Sequence, residues 1–169
     1  MGVEDTLAHL PALRRYARLL TGDATRADDL VQDTLERAML KWSLWQPGSN
    51  LRAWLLSVMH NLYLNHRRDA RLDDASVCID DVPEAGYEPW AQVGERLDMQ
   101  QALLTLAPAS RAVLLLVTVE EHSYAEAAKI LDIPIGTVMS RLHRAREQLR
   151  SSLQPVPSTS VPNLLLVKR

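Results

Sequence analysis

The chain has one cysteine, Cys78, among 169 residues. A lone thiol forms no internal disulfide, and no CxxC or Cys/His spacing suited to zinc occurs. Long apolar runs are missing too, since no stretch approaches the roughly 18 residues of a membrane span. The N-terminus carries Glu4 and Asp5 where a secretory signal has a basic segment and then an apolar run. These absences predict a cytoplasmic protein with no membrane span. Catalytic machinery is equally scarce. His9, His60, His66, His122 and His143 are scattered without metal spacing, and there is no Gly-rich phosphate loop or nucleophile motif. Asp80-Asp81 falls in an aperiodic, acidic stretch, which is poor ground for preorganised catalysis. No enzymatic activity, cofactor or metal is expected.

What is present is ordinary in bulk and uneven along the chain. Apolar residues make up 47% and charged residues 24%, as in a soluble globular protein. Residues 1–68 hold nine Lys/Arg against seven Asp/Glu, and residues 96–169 hold nine against six. Residues 69–95 hold one basic residue, Arg71, against eight acidic ones. The net charge of −2 therefore belongs to a middle segment between two mildly basic ones. This pattern predicts two small helical domains joined by a flexible acidic linker.

Periodicity supports an all-α fold. Leu7, Leu10, Leu13, Ala17 and Leu20 recur at helical spacing, and Thr21-Gly22-Asp23 ends that helix. Thr25-Arg26-Ala27-Asp28 has the form of a capping box for a second helix. There Ala27, Leu30, Val31, Thr34, Leu35, Ala38 and Trp42 share one face, with Asp29, Gln32, Asp33 and Glu36 opposite. Gln46-Pro47-Gly48-Ser49-Asn50 is a turn, and Asn50 can cap a third helix running to about Arg68. Its apolar stripe is Leu51, Trp54, Leu55, Val58 and Leu62. Residues 69–95 lose the periodicity, with some order expected around Val77-Cys78-Ile79. The second module begins near Arg96 with Leu97, Gln101, Leu103, Leu104 and Leu106. Pro108 starts a helix over the apolar run 112–119, which composition alone would also allow as a buried strand. Beyond Gln154 the Pro-, Ser- and Thr-rich tail 154–169 reads as disordered.

One 25-residue span is more informative. Ser123-Tyr124-Ala125-Glu126 is a capping box opening a short helix with Ala127, Ala128, Ile130 and Leu131. Asp132-Ile133 turns the chain, and Pro134 suits the first turn of a second helix. That helix buries Val138, Leu142, Ala145 and Leu149. Two short helices joined this way form a helix-turn-helix, whose second helix enters a DNA major groove. Thr137, Ser140, Arg141 and Arg144 project from or beside its wet face, and arginine can pair bidentately with guanine. Gly136 leaves the helix N-terminus open to a phosphate, while Arg146 and Arg150 suit phosphate contacts. A solvated helix with a basic C-terminal half has the same composition. The capping box, turn and apolar stripe together favour DNA.

These motifs resemble region 4 of bacterial sigma factors of the extracytoplasmic-function class. The likeness is carried by Ser123–Glu126 and by the run from Ile133 to Arg146. The first module resembles the same family independently. Leu20-Thr21-Gly22-Asp23 and Asp28–Thr34 are similar to regions 2.1 and 2.2. Leu51–Leu55, Asn61-Leu62 and Arg67-Arg68 are similar to region 2.4. The resemblance spans roughly residues 7–153. It implies region 2 over 1–68, an acidic linker over 69–95 and region 4 over 96–153. It further implies a promoter-specificity subunit that binds core RNA polymerase through the beta-prime clamp helices and the beta subunit, melts promoter DNA and directs initiation.

On this resemblance Asp29, Gln32, Asp33 and Glu36 face the polymerase, although a solvated acidic face would look the same. The minus-ten element would meet the loop from about Ser43 to Asn50 and the helix after it. Ser49, Asn50, Arg52, Asn61, Asn65, Arg67 and Arg68 are its candidates, with Trp42 and Trp45 as stacking surfaces or, more ordinarily, core residues. The minus-thirty-five element would meet Gly136, Thr137, Ser140, Arg141, Arg144 and Arg146. The linker would thread the polymerase's RNA path as a phosphate mimic, or simply tether the modules. An anti-sigma factor wedged between the modules is expected, with the free protein a monomer. The chain departs from the family at Met139, where a cation is common, at Asp132, where Gly is usual, and at Glu121-His122, which replaces a glycine-containing pair. The main rival is a stand-alone helix-turn-helix regulator of duplex DNA, which needs neither the polymerase-facing stripe nor the loop.

Overall fold

The computed structural model describes residues 3–73 and 94–153. Most of the acidic linker, including Val77-Cys78-Ile79, and the tail 154–169 lie outside the described residues, as does the side chain of Leu97. Seven helices and one 3-10 turn make up the described residues, with no strand among them. Helices α1 (Val3–Thr21), α2 (Ala24–Leu40) and α3 (Leu51–Asp73) form a first bundle, with the 3-10 turn Trp42–Leu44 between α2 and α3. Helices α4 (Gly94–Thr105), α5 (Pro108–Thr118), α6 (Tyr124–Leu131) and α7 (Ile135–Leu153) form a second. The apolar run after Pro108 is helical, and Pro108 occupies its first turn as its fixed φ favours.

Several local expectations shift by a residue or two. The buried side of α1 runs through Thr6, Leu13, Tyr16, Ala17 and Leu20, and Leu7 is 56% exposed. Both residues 6 and 7 continue a three-and-four spacing towards Leu10, and the threonine takes the inner position. The cap of α2 is Asp23, whose Oδ1 accepts from the Arg26 N–H at 2.7 Å, so Thr25 already lies inside the helix. A turn this tight leaves Gly22 in the left-handed region, at φ +73°. Asn50 caps α3 as expected, accepting from the Ala53 N–H at 3.1 Å. That helix continues to Asp73, five residues beyond the expected end and into the predicted linker. Its inner residues are Leu55, Leu56, Met59, His60 and Tyr63, while Leu51, Trp54, Val58 and Leu62 are half-buried. The stripe is displaced because α3 packs against α2 on one side and α6 on the other.

The two bundles touch directly. Besides the contact of α3 with α6, α1 packs on both α4 and α5. One buried apolar cluster extends from Leu13 and Leu55 in the first bundle to Leu116 and Leu142 in the second. Leu104 of α4 fills the space over Gly22, where an added Cβ would approach its Cδ2 to 2.4 Å. Arg111 is buried at the same junction, and it donates to the carbonyls of Leu103, Leu104 and Leu106 in its own bundle and of Leu20 in the other.

Candidate nucleic-acid interface

The helix-turn-helix is built from its caps inward. Ser123 accepts from the Glu126 N–H at 3.2 Å, and the Glu126 carboxylate accepts from the Ser123 N–H at 2.9 Å, completing the reciprocal box. Those bonds to Ser123 hold the Glu126 carboxyl below the usual range. Asp132 closes α6 in the left-handed conformation at φ 52°, which aspartate tolerates in place of glycine. Pro134 stands one step earlier than expected, just outside α7, where its carbonyl accepts from the N–H groups of Thr137 and Val138. Val138, Leu142 and Ala145 are buried and Leu149 half-buried.

On the opposite side of α7, Gly136, Met139, Ser140, His143, Arg144 and Arg146 are exposed. Ser140 donates to the Thr137 carbonyl at 3.1 Å, leaving its oxygen lone pairs outward. Nothing lies within 4 Å of a Cβ placed on Gly136. Crowding therefore does not demand glycine here, and access to the helix N-terminus is the reason that survives. Arg141 differs from its neighbours, since it is half-buried and close enough to His60 of α3 to act on it. Burial first, and then that guanidinium, hold the His60 imidazole down at about 4.

In the first bundle the structure separates residues that the sequence grouped. Asp29, Gln32 and Glu36 are exposed along α2, with Gln32 donating to Glu36 at 3.1 Å. Asp33 is half-buried and meets His66 of α3 at 3.0 Å. Trp42 is half-buried, with its ring 5.3 Å from that of Trp45 and edge-on to that of Trp54 at 6.1 Å. Trp45 is only 7% exposed, so this ring belongs to the core and offers no open face for a base. Ser49 donates to the Gln46 carbonyl at 2.7 Å, and Asn50 is occupied as the cap of α3. Asn61, Asn65, Arg67 and Arg68 follow along α3 with at least partial exposure, Arg67 lying over the Tyr63 ring at 5.9 Å. Arg68 has only a loose pairing with Asp69 at 3.9 Å.

Arg52 is the largest departure. It does not stand free towards solvent, because its Nη2 donates to the Glu120 carboxylate of the second bundle. Arg15 donates to the same carboxylate from Nε at 3.0 Å and Nη2 at 2.9 Å. Tyr16 and His122 lie in the field of this carboxylate. The Tyr16 phenol is pushed up by burial, then by Tyr63 and Glu120, and the His122 imidazole is pushed down chiefly by burial. Sequence reading missed Glu120 and Arg111. The one local signal was their place on either side of the buried apolar run 112–116 of α5, which says that they lie near the core and not which groups they meet.

A capped helix-turn-helix with an exposed basic helix, seated on a second helical bundle, has the form of a two-part DNA-binding protein. The comparisons with known proteins carry this further. The model described as the Sigma2 domain of PhyR matches residues 6–60, and that described as Sigma-70, region 4, matches residues 96–149. The ECF RNA polymerase sigma factor EcfG of Rhodopseudomonas palustris is 39% identical over 154 residues, covering 89% of this chain and 83% of the relative. The ECF RNA polymerase sigma factor SigL of Mycobacterium tuberculosis is 37% identical, covering 89% and 88%. Among solved structures, the sigma factor RpoE from Bartonella quintana, in complex with the anti-sigma factor NepR, aligns with TM-score 0.72 and 36% identity. That alignment covers 89% of this chain and 94% of RpoE.

The chain belongs to the ECF RNA polymerase sigma factors. It is a promoter-specificity subunit, not a stand-alone regulator, and a promoter-recognition protein rather than a classical enzyme. No helix among the described residues is long and apolar enough to cross a membrane.

Proposed function

We propose that the two bundles divide promoter recognition between them, with 1–68 serving core polymerase and the minus-ten element and 96–153 the minus-thirty-five element. The observation that carries this is α7, where exposed Ser140 and Arg144 back onto the buried line of Val138, Leu142 and Ala145. Arg144 reads a base edge, Thr137, Ser140 and Arg141 support it, and Gly136 and Arg146 meet phosphates. Arg144→Ala is expected to weaken promoter binding by about 1–3 kcal/mol and to relax preference at one position. Competition binding over a set of singly altered promoters measures this. An equal loss on every sequence would reassign Arg144 to the backbone.

In the first bundle the exposed Asp29, Gln32 and Glu36, with Asp33 beside them, dock on the clamp helices of the polymerase. Ser49, Asn61, Asn65, Arg67 and Arg68 handle the melted strand, with the partly open Trp42 as the stacking surface. Asn50 serves mainly by setting the start of α3. The protein acts in the cytoplasm as a monomer when free, and an anti-sigma factor of the kind seen with RpoE restrains it. Simultaneous alanine at Asp29, Asp33 and Glu36 is expected to abolish co-purification with core polymerase and run-off transcription, with helicity retained. Undiminished co-purification would refute the assignment of that face.

A further inference from the structure

The outer side of α7 is not polar throughout. Ile135 and Met139, in its first two turns, are 49% and 53% exposed. Ile133 before them and Leu149 beyond pack against the buried cluster, which neither Ile135 nor Met139 joins. Residues four apart stand one above the other on a helix, so the pair forms a single apolar patch. It borders Gly136, where an added Cβ would meet nothing within 4 Å, and Ser140, which is exposed. Arg146, two turns past Met139, continues the same side with an exposed cation. That side is apolar at the N-terminal end of the helix and basic further on.

In a helix-turn-helix the N-terminal residues of the second helix meet base edges, while contacts to the phosphates set register and orientation. A phosphate has no use for an isoleucine or a thioether, because covering its charge with an apolar group costs desolvation and returns no hydrogen bond. The apolar group that base edges present in the major groove is the thymine 5-methyl. We propose that Ile135 and Met139 form a specificity-determining patch that recognises a thymine methyl in the minus-thirty-five element. The inference rests on the reading of α7 as the helix that meets this element. It deepens that reading by adding an apolar half to a site otherwise built of hydrogen-bonding groups. Ile135, β-branched and in the first turn, is the stiff wall of the patch. Met139 is unbranched, with a polarisable sulfur, and adapts its shape to the methyl as the helix seats. Cytosine in the same place lacks the methyl and presents an amino donor that the patch leaves unpaired, so the patch discriminates against it.

The test uses the full chain assembled with core RNA polymerase. The minus-thirty-five element is selected by run-off transcription from a randomised promoter library. Each of its thymines is then replaced singly by deoxyuridine, which removes the methyl and keeps the base pair. Competition binding is expected to weaken about fourfold at one thymine, the effect of one buried methyl-sized group, and to hold at the others. Met139→Ala should erase that dependence, so that the thymine and uracil duplexes bind alike, and Ile135→Ala should reduce it. Met139→Leu, still apolar, should retain it. Both positions are exposed, so helicity by circular dichroism and the preference due to Arg144 should persist in every variant. The patch is overturned if the selected element holds no thymine, if no single methyl matters, or if the dependence survives both alanine substitutions together. Loss of core polymerase by Met139→Ala with its methyl dependence intact would also overturn it, since that marks a protein contact. If Arg144→Ala leaves the preference at this element untouched, the reading of α7 itself fails, and that outcome is measured separately from the methyl.

Discussion

Replacing Arg111 by methionine removes a guanidinium that gathers the carbonyl ends of two helices. Its Nη1 donates to Leu20 at 2.7 Å at the end of α1. Its Nε and Nη2 donate to Leu103 and Leu104 at 2.8 Å, and Nη2 also reaches Leu106 at 3.1 Å, at the end of α4. Helix ends leave their last carbonyls without intrahelical partners, and a cation there also offsets the helix dipole. A hydrogen bond to a charged group contributes about 1.5–3 kcal/mol, and an orphaned buried carbonyl costs about 1–3 kcal/mol. These terms are not additive over four acceptors on one group, and methionine restores the packing of the apolar stem. The net expectation is a loss of about 3–5 kcal/mol. For a chain of this size that lowers the melting temperature by about 10 °C. Lysine, with the charge but no planar fork, should recover only part of the loss. Urea denaturation followed by far-UV circular dichroism measures both variants. A methionine variant within about 1 kcal/mol of the parent would refute the view that these carbonyls depend on Arg111.

Two further perturbations test local features. Glu121 turns the chain after α5 at φ 58°, a conformation costing a non-glycine residue about 1 kcal/mol or more. Glu121→Gly should therefore raise the denaturation midpoint, and a lowered midpoint would show that the glutamate side chain compensates the strain. For His60, the folded-state value of about 4 lies below the ordinary 6.5, so the unfolded chain takes up the proton first. Stability is then complete above about pH 6.5 and falls towards pH 4, by about 3 kcal/mol from this residue. His122 shifts in the same direction. His60→Gln should flatten the slope of stability against pH over that window, and an unchanged slope would exclude His60 as its source.

The features legible in the sequence were those fixed by neighbours in the chain. The Ser123–Glu126 box, Pro108 at the start of α5, Asp132 in the left-handed region and the Val138–Leu142–Ala145 stripe each depend on residues within a turn or two. Errors arose where two adjacent residues could fill one local role. Asp23 and Thr25 both suit a cap, and Thr6 and Leu7 both continue the α1 spacing, so packing made the choice. Arg52 was placed on the open side of α3 for a different reason. Its partner Glu120 comes from the other bundle, and an isolated arginine in a sequence reads as solvated. The charged seam is beyond sequence periodicity altogether, because Glu120 stands 105 residues from Arg15 and 68 from Arg52.

That separation has a practical consequence for anyone recombining such factors. A chimera that joins this helix-turn-helix to another factor's first bundle inherits Glu120 without a guarantee of its two arginines. The carboxylate would then enter a dry seam unmatched, and the hybrid would open or mispack even with every DNA-reading residue intact. Arg15, Arg52 and Glu120 should be transplanted as a set, with Gly22 beneath Leu104, so that the graft carries its own seam with it.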